Sequence, residues 1–277
     1  MYINWNGTPL ERLPEGWTEA QRALFYGDAL FETMRAFGSR LPLLERHWAR
    51  LRGGLTLLGF ALPSEWDAVF WEKNIWRVAP PNARVRLTVW RSAGGYYRPA
   101  NNQPQFLITA EPLPGAALAW PEAGLTLGVS TSVRLPVDAY SNLKTLNSAR
   151  YVAAAREAQA QGWDDALVLN AFERVCEATA SNVWWWEGDR LYTVPLSEGC
   201  VAGVMRAFVL ETAAEAGQTI IEKALLPEAL WAADEIFLTN AVRGIQPVRI
   251  FAGARLGSER TQWLFERVQA RLAATQH

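Results

Sequence analysis

The sequence predicts an α+β protein of two domains, and three observations predict it. First, 277 residues, half of them hydrophobic and a fifth charged, make a folded chain too long for one small core and comfortable for two moderate domains. Second, strand and helix patterns do not alternate regularly in the first half, so a doubly wound parallel sheet fits less well than two α+β domains. Third, the stretch "EPLPGAALAWPEAG" breaks the pattern with three prolines and two glycines. The expected division is residues 1–113 for the first domain, 114–122 for the linker and 123–277 for the second.

The elements follow in order. "ALFETMRAFG" (Ala29 to Gly38) reads as a strand ending at a glycine turn. "LPLLERHWARLRGGLTLLGF" places Leu44, Trp48, Leu51, Leu55 and Leu58 at helical spacing. "SEWDAVFWEKNIWRVA" reads as a second amphipathic helix with Ser64 as its N-cap. "ARVRLTVWRS" alternates Val85, Leu87 and Val89 against Arg84, Arg86 and Thr88, the pattern of a half-buried strand, and "PQFLITAEP" is another. Past the break come the strand "LTLGVSTSVR", a helix from about Thr145 to Gln161, and the strand "DALVLN". "NVWWWEGDRLYTV" is a hairpin turning at Glu187-Gly188-Asp189. A helix from about Gly203 to Ala216, the strand "TIIEKAL", a short helix near "PEALWAA", the strand "DEIFLTN" and a helix from Ser258 complete the chain. The 14 tryptophans, Trp184-Trp185-Trp186 among them, are assigned to cores and interfaces and not to a ligand platform.

Composition excludes several function classes. A net charge of −1 leaves no basic footprint for nucleic acid. No apolar run reaches the roughly 20 residues of a membrane span, and the N-terminus lacks the basic start and apolar core of a signal peptide. Cys176 and Cys200 are the only cysteines, which points to a reducing cytoplasm. The only histidines are His47 and His277, so a histidine-centred triad or a metal site is not expected. Neither a mononucleotide nor a dinucleotide phosphate loop is present. Chemistry here rests on Lys, Glu, Arg, Tyr or a borrowed cofactor.

One lysine stands out. In "SNLKTLNSARYVAAAREAQAQGWDDALVLN", Lys144 lies among small polar residues with nothing nearby in sequence to neutralise it. Three further segments accompany it. "ERVCEATASNVWWW" carries Glu177, Ser181 and Asn182; "GCVAGVMRAFVLE" puts Gly199 and Gly203 at the mouth of a helix; "DEIFLTNAVRGIQPV" ends a strand at Thr239-Asn240. In this order, and with "GDALFETMRAFG" and "LERHWARL" near the N-terminus, these segments resemble the fold-type IV pyridoxal-phosphate enzymes, the class IV aminotransferase family that includes D-amino-acid aminotransferase. The resemblance runs through Pro247, about four-fifths of the chain.

The resemblance implies pyridoxal 5'-phosphate as cofactor, with Lys144 as the catalytic lysine that forms the Schiff base and then shuttles protons. Glu177 matches the acid that holds the pyridine nitrogen. Arg50 matches the phosphate-binding arginine, and Val204 and Met205 match backbone donors at a helix N-terminus, a natural anion site. Asn182, Thr239 and Asn240 complete the cofactor set. Where branched-chain enzymes often have Thr, this chain has Ala241, and where they carry a tyrosine five residues after the lysine, it has Ala149.

Within the family, "K-x-L-N", ending at Asn147, is the pattern of the lyases and D-amino-acid enzymes. "RLTVWRSAGGYYRP" resembles a loop of aminodeoxychorismate lyases and lacks the Arg-x-His of the D-amino-acid enzymes. The implied reaction is a lyase step giving 4-aminobenzoate and pyruvate. Arg91 and Arg98 are candidates for the substrate carboxylates or, equally, charged loop residues in solvent. Tyr26, Tyr96 and Tyr97 are candidates to stack on or bond substrate. A transaminase acting on D-amino acids, branched-chain amino acids or amines is the rival; a non-catalytic binder has no reason to keep Lys144 and Glu177. The family also implies a homodimer. Small-molecule substrate, no nucleic acid, no membrane and a cytoplasmic location complete the expectation.

Overall fold

The computed structural model describes residues 2–11 and 22–275; His277 and much of the N-terminal stretch weighed as a leader lie outside the described residues. The chain forms two compact units. The first runs to Ala117 and takes in Leu143–Asn147; the second comprises Leu118–Asn142 and Ser148–Ala274.

The first unit contains β1 (Tyr2–Trp5), β2 (Thr8–Leu10), α1 (Arg22–Tyr26), β3 (Ala29–Arg35), α2 (Leu44–Leu57), α3 (Ala68–Trp76), β4 (Ala83–Arg91) and β5 (Pro104–Pro112). Its strands form one antiparallel sheet in the order β2-β1-β5-β4-β3. The alternation read in β4 holds: Val85, Leu87 and Val89 are buried and their neighbours Arg84, Arg86 and Thr88 half-buried. Strand β3 follows the same rule, because Phe31, Thr33 and Arg35 pair with Thr88, Arg86 and Arg84. The sheet's apolar face packs on α2 and α3 through Leu30, Met34, Leu51, Leu55, Trp71 and Ile75. Trp66 and Trp71 meet edge-on with centroids 4.7 Å apart. The α3 cap is Asp67, whose carboxylate accepts from Phe70 N at 2.7 Å, and not the expected Ser64. The helix starts later than its apolar pattern because Asp67 sits three residues before an available amide.

The second unit contains β6 (Leu125–Leu135), α4 (Ala149–Gln161), β7 (Asp165–Asn170), β8 (Val175–Ala178), β9 (Asn182–Glu187), β10 (Arg190–Thr193), α5 (Val204–Glu215), β11 (Ile220–Glu222), β12 (Glu235–Asn240), β13 (Gly244–Phe251), β14 (Ala254–Arg255) and α6 (Glu259–Ala274). Nine strands form one mixed sheet in the order β11-β10-β9-β12-β13-β6-β7-β8, with β14 on β13. The β9–β10 hairpin pairs Glu187 with Arg190, so its loop is Gly188-Asp189, and Gly188 supplies the positive φ of 59° that a two-residue loop demands. Trp184, Trp185 and Trp186 are fully buried. Trp184 stacks on Phe237 at 5.7 Å and Trp185 on Tyr192 at 5.4 Å, so this triplet is core.

Three features differ from the expectation. The helix α4 begins at Ala149, and residues 145–148 precede it. Main-chain bonds from Phe31 N to Lys144 O (2.9 Å) and from Leu146 N to Ala29 O (3.1 Å) hold Lys144 to the edge of β3, which removes it from the helix and from the 123–277 span. The short helix at Pro227–Ala232 is 3-10. Strands β1, β2, β8, β13 and β14 and the short helix α1 are additions. "VCEA" is too short to show a period, and Pro247 argues against a strand; the β13–β6 ladder begins at Val248, just past that proline.

Candidate active site

In the first unit the site grows from β3. Its alternation sends Leu30, Glu32 and Met34 into the core, so an acid occupies an apolar position. Such a group has to be paired. Two residues of α2, three apart and so on one helix face, do this. Arg50 donates to Glu32 from Nε (2.8 Å to Oε1) and Nη2 (2.5 Å to Oε2), and His47 Nδ1 lies 2.6 Å from Oε2. Burial alone would raise the Glu32 carboxyl, but Arg50 and His47 outweigh it and hold its pKa at about 2. Burial dominates at His47 and lowers its pKa, so the ring is neutral and donates through Nδ1.

On the other face of β3, the Phe31 ring has two cations within cation–π reach. Lys144 Nζ is 4.6 Å from its centroid and the Arg86 guanidinium carbon 3.9 Å. Arg86 is half-buried, burial lowers its pKa with Arg84 adding to the effect, and no carboxylate among the described residues pairs with it. Asn147 packs on Gly27, where a Cβ would stand 2.2 Å from Asn147 Oδ1. The "YGD" turn and the "K-x-L-N" segment are therefore fitted to each other.

In the second unit the centre is Glu177 on β8, buried and held by hydrogen bonds. Tyr151 of α4 donates its hydroxyl to Oε1 at 2.6 Å. Val201 N donates to Oε2 at 3.1 Å and Asn182 Nδ2 to the same oxygen at 3.3 Å. Asn182 also donates to Val201 O at 2.9 Å. Gly203 follows closely enough that a Cβ there would lie 1.9 Å from Asn182 Oδ1. Glycine at the N-cap of α5 serves twice: it admits Asn182, and it offers no side-chain cap to the amides of Val204 and Met205. Asn240 accepts from Val242 N (3.1 Å) and Arg243 N (2.8 Å) and donates to Ser181 Oγ (3.0 Å), which shapes the turn after β12. A cavity of about 600 Å³ in this unit, lined by Gly128, Trp163, Trp231 and Ile250 among others, contains none of these residues.

Two expected site residues have their side-chain polar groups engaged within the protein. Arg91 is buried and uses its donors on Asp28, Asn102 Oδ1, Gly59 O and Leu58 O, with its guanidinium 4.1 Å from the Phe60 centroid. Nothing is left over for a substrate carboxylate. Thr239 is buried and accepts from Trp184 Nε1 at 3.0 Å; strand alternation turns it away from the side that Asn240 occupies. Arg98 is exposed, as are Tyr96 (83%) and Tyr97 (90%). Tyr26 lies 5.6 Å from Tyr97 and under the Arg22 guanidinium, which also donates to Tyr96 O at 2.6 Å. Sequence reasoning missed Arg86, Glu32, His47 and Tyr151. A signal existed for Glu32, an acid in phase with apolar residues, and for Arg86, named only as one member of a polar face.

The class IV amino-transferase family model matches residues 29–251, and the chain belongs to that family. These are pyridoxal-phosphate enzymes, and the expected fold-type IV architecture of two α+β domains is borne out. The chain is 30% identical to an aminodeoxychorismate lyase of Vibrio harveyi over 247 residues, 88% of this chain and 89% of that one. It is 28% identical to a putative branched-chain-amino-acid aminotransferase of Methanocaldococcus jannaschii over 255 residues, 90% and 87% of the two chains. Among solved structures, a 4-amino-4-deoxychorismate lyase from Pseudomonas aeruginosa is similar with a TM-score of 0.84 at 30% identity, covering 97% of this chain and 98% of that one.

The residues fit the cofactor. The second unit offers a buried acid able to accept from a ring N–H and helix amides without a side-chain cap, and the first offers an amine placed by main-chain bonds; each is a group that pyridoxal phosphate requires.

Proposed function

We propose that the chain is an aminodeoxychorismate lyase, which converts 4-amino-4-deoxychorismate to 4-aminobenzoate and pyruvate for folate synthesis. The observation that carries the reading is the grouping at Phe31. A half-buried guanidinium, Arg86, shares that ring with the Lys144 amine, which sets a seat for a substrate carboxylate beside the reacting nitrogen. The "K-x-L-N" segment and the two lyase relatives at 30% identity favour the lyase over a transaminase.

In this reading Lys144 carries the cofactor. Arg50 and the amides of Val204 and Met205 bind its phosphate with Asn240, and Glu177, positioned by Asn182, accepts from the ring nitrogen. Bound pyridoxal phosphate supplies a sink for the electron pair left when a proton is removed. Lys144 Nζ takes that proton from the amine-bearing ring carbon and delivers one to the enolpyruvyl methylene as pyruvate leaves. Atoms balance, since the hydrogen lost by the ring is the one gained by pyruvate, and aromatisation drives the step. No keto acid is consumed.

The enzyme works as a cytoplasmic homodimer, in keeping with an exposed apolar group of Leu24, Phe25, Tyr96 and Tyr97 on the first unit. Light scattering on the purified protein checks the dimer.

A second reading, a class IV aminotransferase for D-amino acids, branched-chain amino acids or amines, is favoured by the archaeal relative. One experiment separates them: follow the visible absorbance of the holoenzyme while adding D- and L-amino acids without keto acid, then supply aminodeoxychorismate. An unchanged band with 4-aminobenzoate and pyruvate released is the lyase outcome. Conversion of the band to that of the pyridoxamine form would replace the lyase with the transaminase.

A further inference from the structure

We infer that Tyr151 is a positioning residue for the cofactor's pyridine nitrogen, acting through the carboxylate of Glu177. The inference rests on the reading that Glu177 meets that nitrogen.

Tyr151 stands in the first turn of α4, a short non-helical stretch beyond Lys144 in sequence, and its hydroxyl reaches Glu177 Oε1 at 2.6 Å. Burial first, and then the negative charge of Glu177, push the phenol far above its ordinary range, so it stays protonated and donates. Glu177 Oε2 is fixed independently by Val201 N and Asn182 Nδ2. Donors on both oxygens stop rotation of the carboxylate about its last bond. A glutamate whose two oxygens are set in this way presents a fixed acceptor direction, and a ring N–H is directional enough to reward it. The rest of the Tyr151 ring packs on the core of the second unit, so the hydroxyl is the only part of the side chain that the inference uses.

Substitution of the hydroxyl alone isolates the effect. Tyr151→Phe keeps the ring, and melting of the cofactor-free protein verifies that the fold is retained. The measurement is the Kd of the cofactor-free protein for two probes: pyridoxal phosphate, and its 1-deaza analogue, which has carbon in place of the ring nitrogen. Loss of a hydrogen bond to a charged group corresponds to roughly tenfold in Kd. Tyr151→Phe is expected to weaken pyridoxal phosphate by about that factor and to leave the 1-deaza analogue unchanged. In a Glu177→Gln background the same substitution is expected to cost little, the coupling that defines action through another residue.

Equal weakening of both probes, or none for either, overturns the inference and leaves Tyr151 as packing. If the unsubstituted protein itself binds the two probes equally, the assignment of Glu177 to the ring nitrogen fails, and the inference falls with it. Absence of the visible cofactor band in the unsubstituted protein, or its persistence in Lys144→Ala, marks failure of the lysine assignment instead.

Discussion

Two buried glutamates, Glu32 in the first unit and Glu177 in the second, are handled in opposite ways. Glu32 is bonded to two basic side chains, with Arg50 in a two-point contact and His47 beside it. The donors at Glu177 include a phenol, a carboxamide and a main-chain amide. A cation neutralises a carboxylate, whereas neutral donors stabilise its charge and aim it. The first arrangement serves to hold Arg50 in place; the second fixes both oxygens of Glu177, as the proposed function requires of an acceptor for a ligand's N–H.

The comparison is broken most sharply by stability. Glu32→Gln removes the charge from a buried carboxylate that pairs with the half-buried Arg50, a loss of about 3–5 kcal/mol. Glu177→Gln keeps the size of the side chain and should cost about 1–3 kcal/mol in the cofactor-free protein. Urea unfolding of the two variants measures the difference, and equal losses would mean that the glutamates play the same part. The larger cost of Glu177→Gln should instead appear in cofactor binding.

Activity sharpens it next. Arg86→Met keeps the stem over Phe31 and removes the charge. If Arg86 seats a substrate carboxylate, KM rises roughly 10- to 100-fold, the worth of a charge-assisted hydrogen bond, with a smaller change in kcat. Arg91→Met, by contrast, should lose protein before it loses KM, because its bonds hold Asp28 and the loop from Leu58 to Gly59 together. A KM effect at Arg91 with normal stability would restore the carboxylate role that its hydrogen bonds deny it.

How much of this was legible in the sequence depends on the kind of signal. Strand alternation in "ARVRLTVWRS" and helical spacing from Leu44 to Leu58 are local, and they gave β4 and α2 correctly. The ordered motifs gave the helix start at Gly203, because close backbone approach leaves glycine as a visible mark, and they singled out Lys144 and Glu177, whose roles belong to the proposed function. Arg91 stayed ambiguous because an arginine at the end of a strand looks the same whether it meets substrate or five protein acceptors; only the fold brings Asp28 and Leu58 to it. Thr239 and Asn240 were taken together although adjacent strand residues face opposite ways, a rule that could have been applied from sequence. Tyr151 had no local mark at all: its meaning arises from β8, a four-residue strand too short to show a period.

Acid sharpens the contrast further. Glu32 is held at about 2, below its ordinary 4.5, so its contribution to stability is complete above 4.5 and is lost as pH falls toward 2. His47 is also lowered, from 6.5, by burial. Its unfolded form takes up a proton below 6.5 that the folded form refuses, so stability declines as pH falls through that range. Both groups act in the same direction. Urea midpoints measured from pH 7 to pH 4 should therefore fall steadily, and the decline between 7 and 5 should shrink in His47→Gln. A midpoint that rises on acidification would show that His47 is charged in the folded protein.

The smallest effect expected concerns the two thiols beside the second glutamate. Burial, with Glu177 adding its charge, pushes Cys200 up to about 12 and Cys176 higher still. Only the thiolate reacts with alkylating reagents, so both should resist iodoacetamide at pH 8 in the native protein and react once unfolded. Substituting Glu177 with Gln removes a negative neighbour from each and should lower both, yet burial remains the larger cause, so protection should persist. Rapid native labelling of either would show that the core around β8 opens readily. A glutamate aimed by a phenol, a carboxamide and a main-chain amide needs that core closed, and the thiols report on it without touching the chemistry.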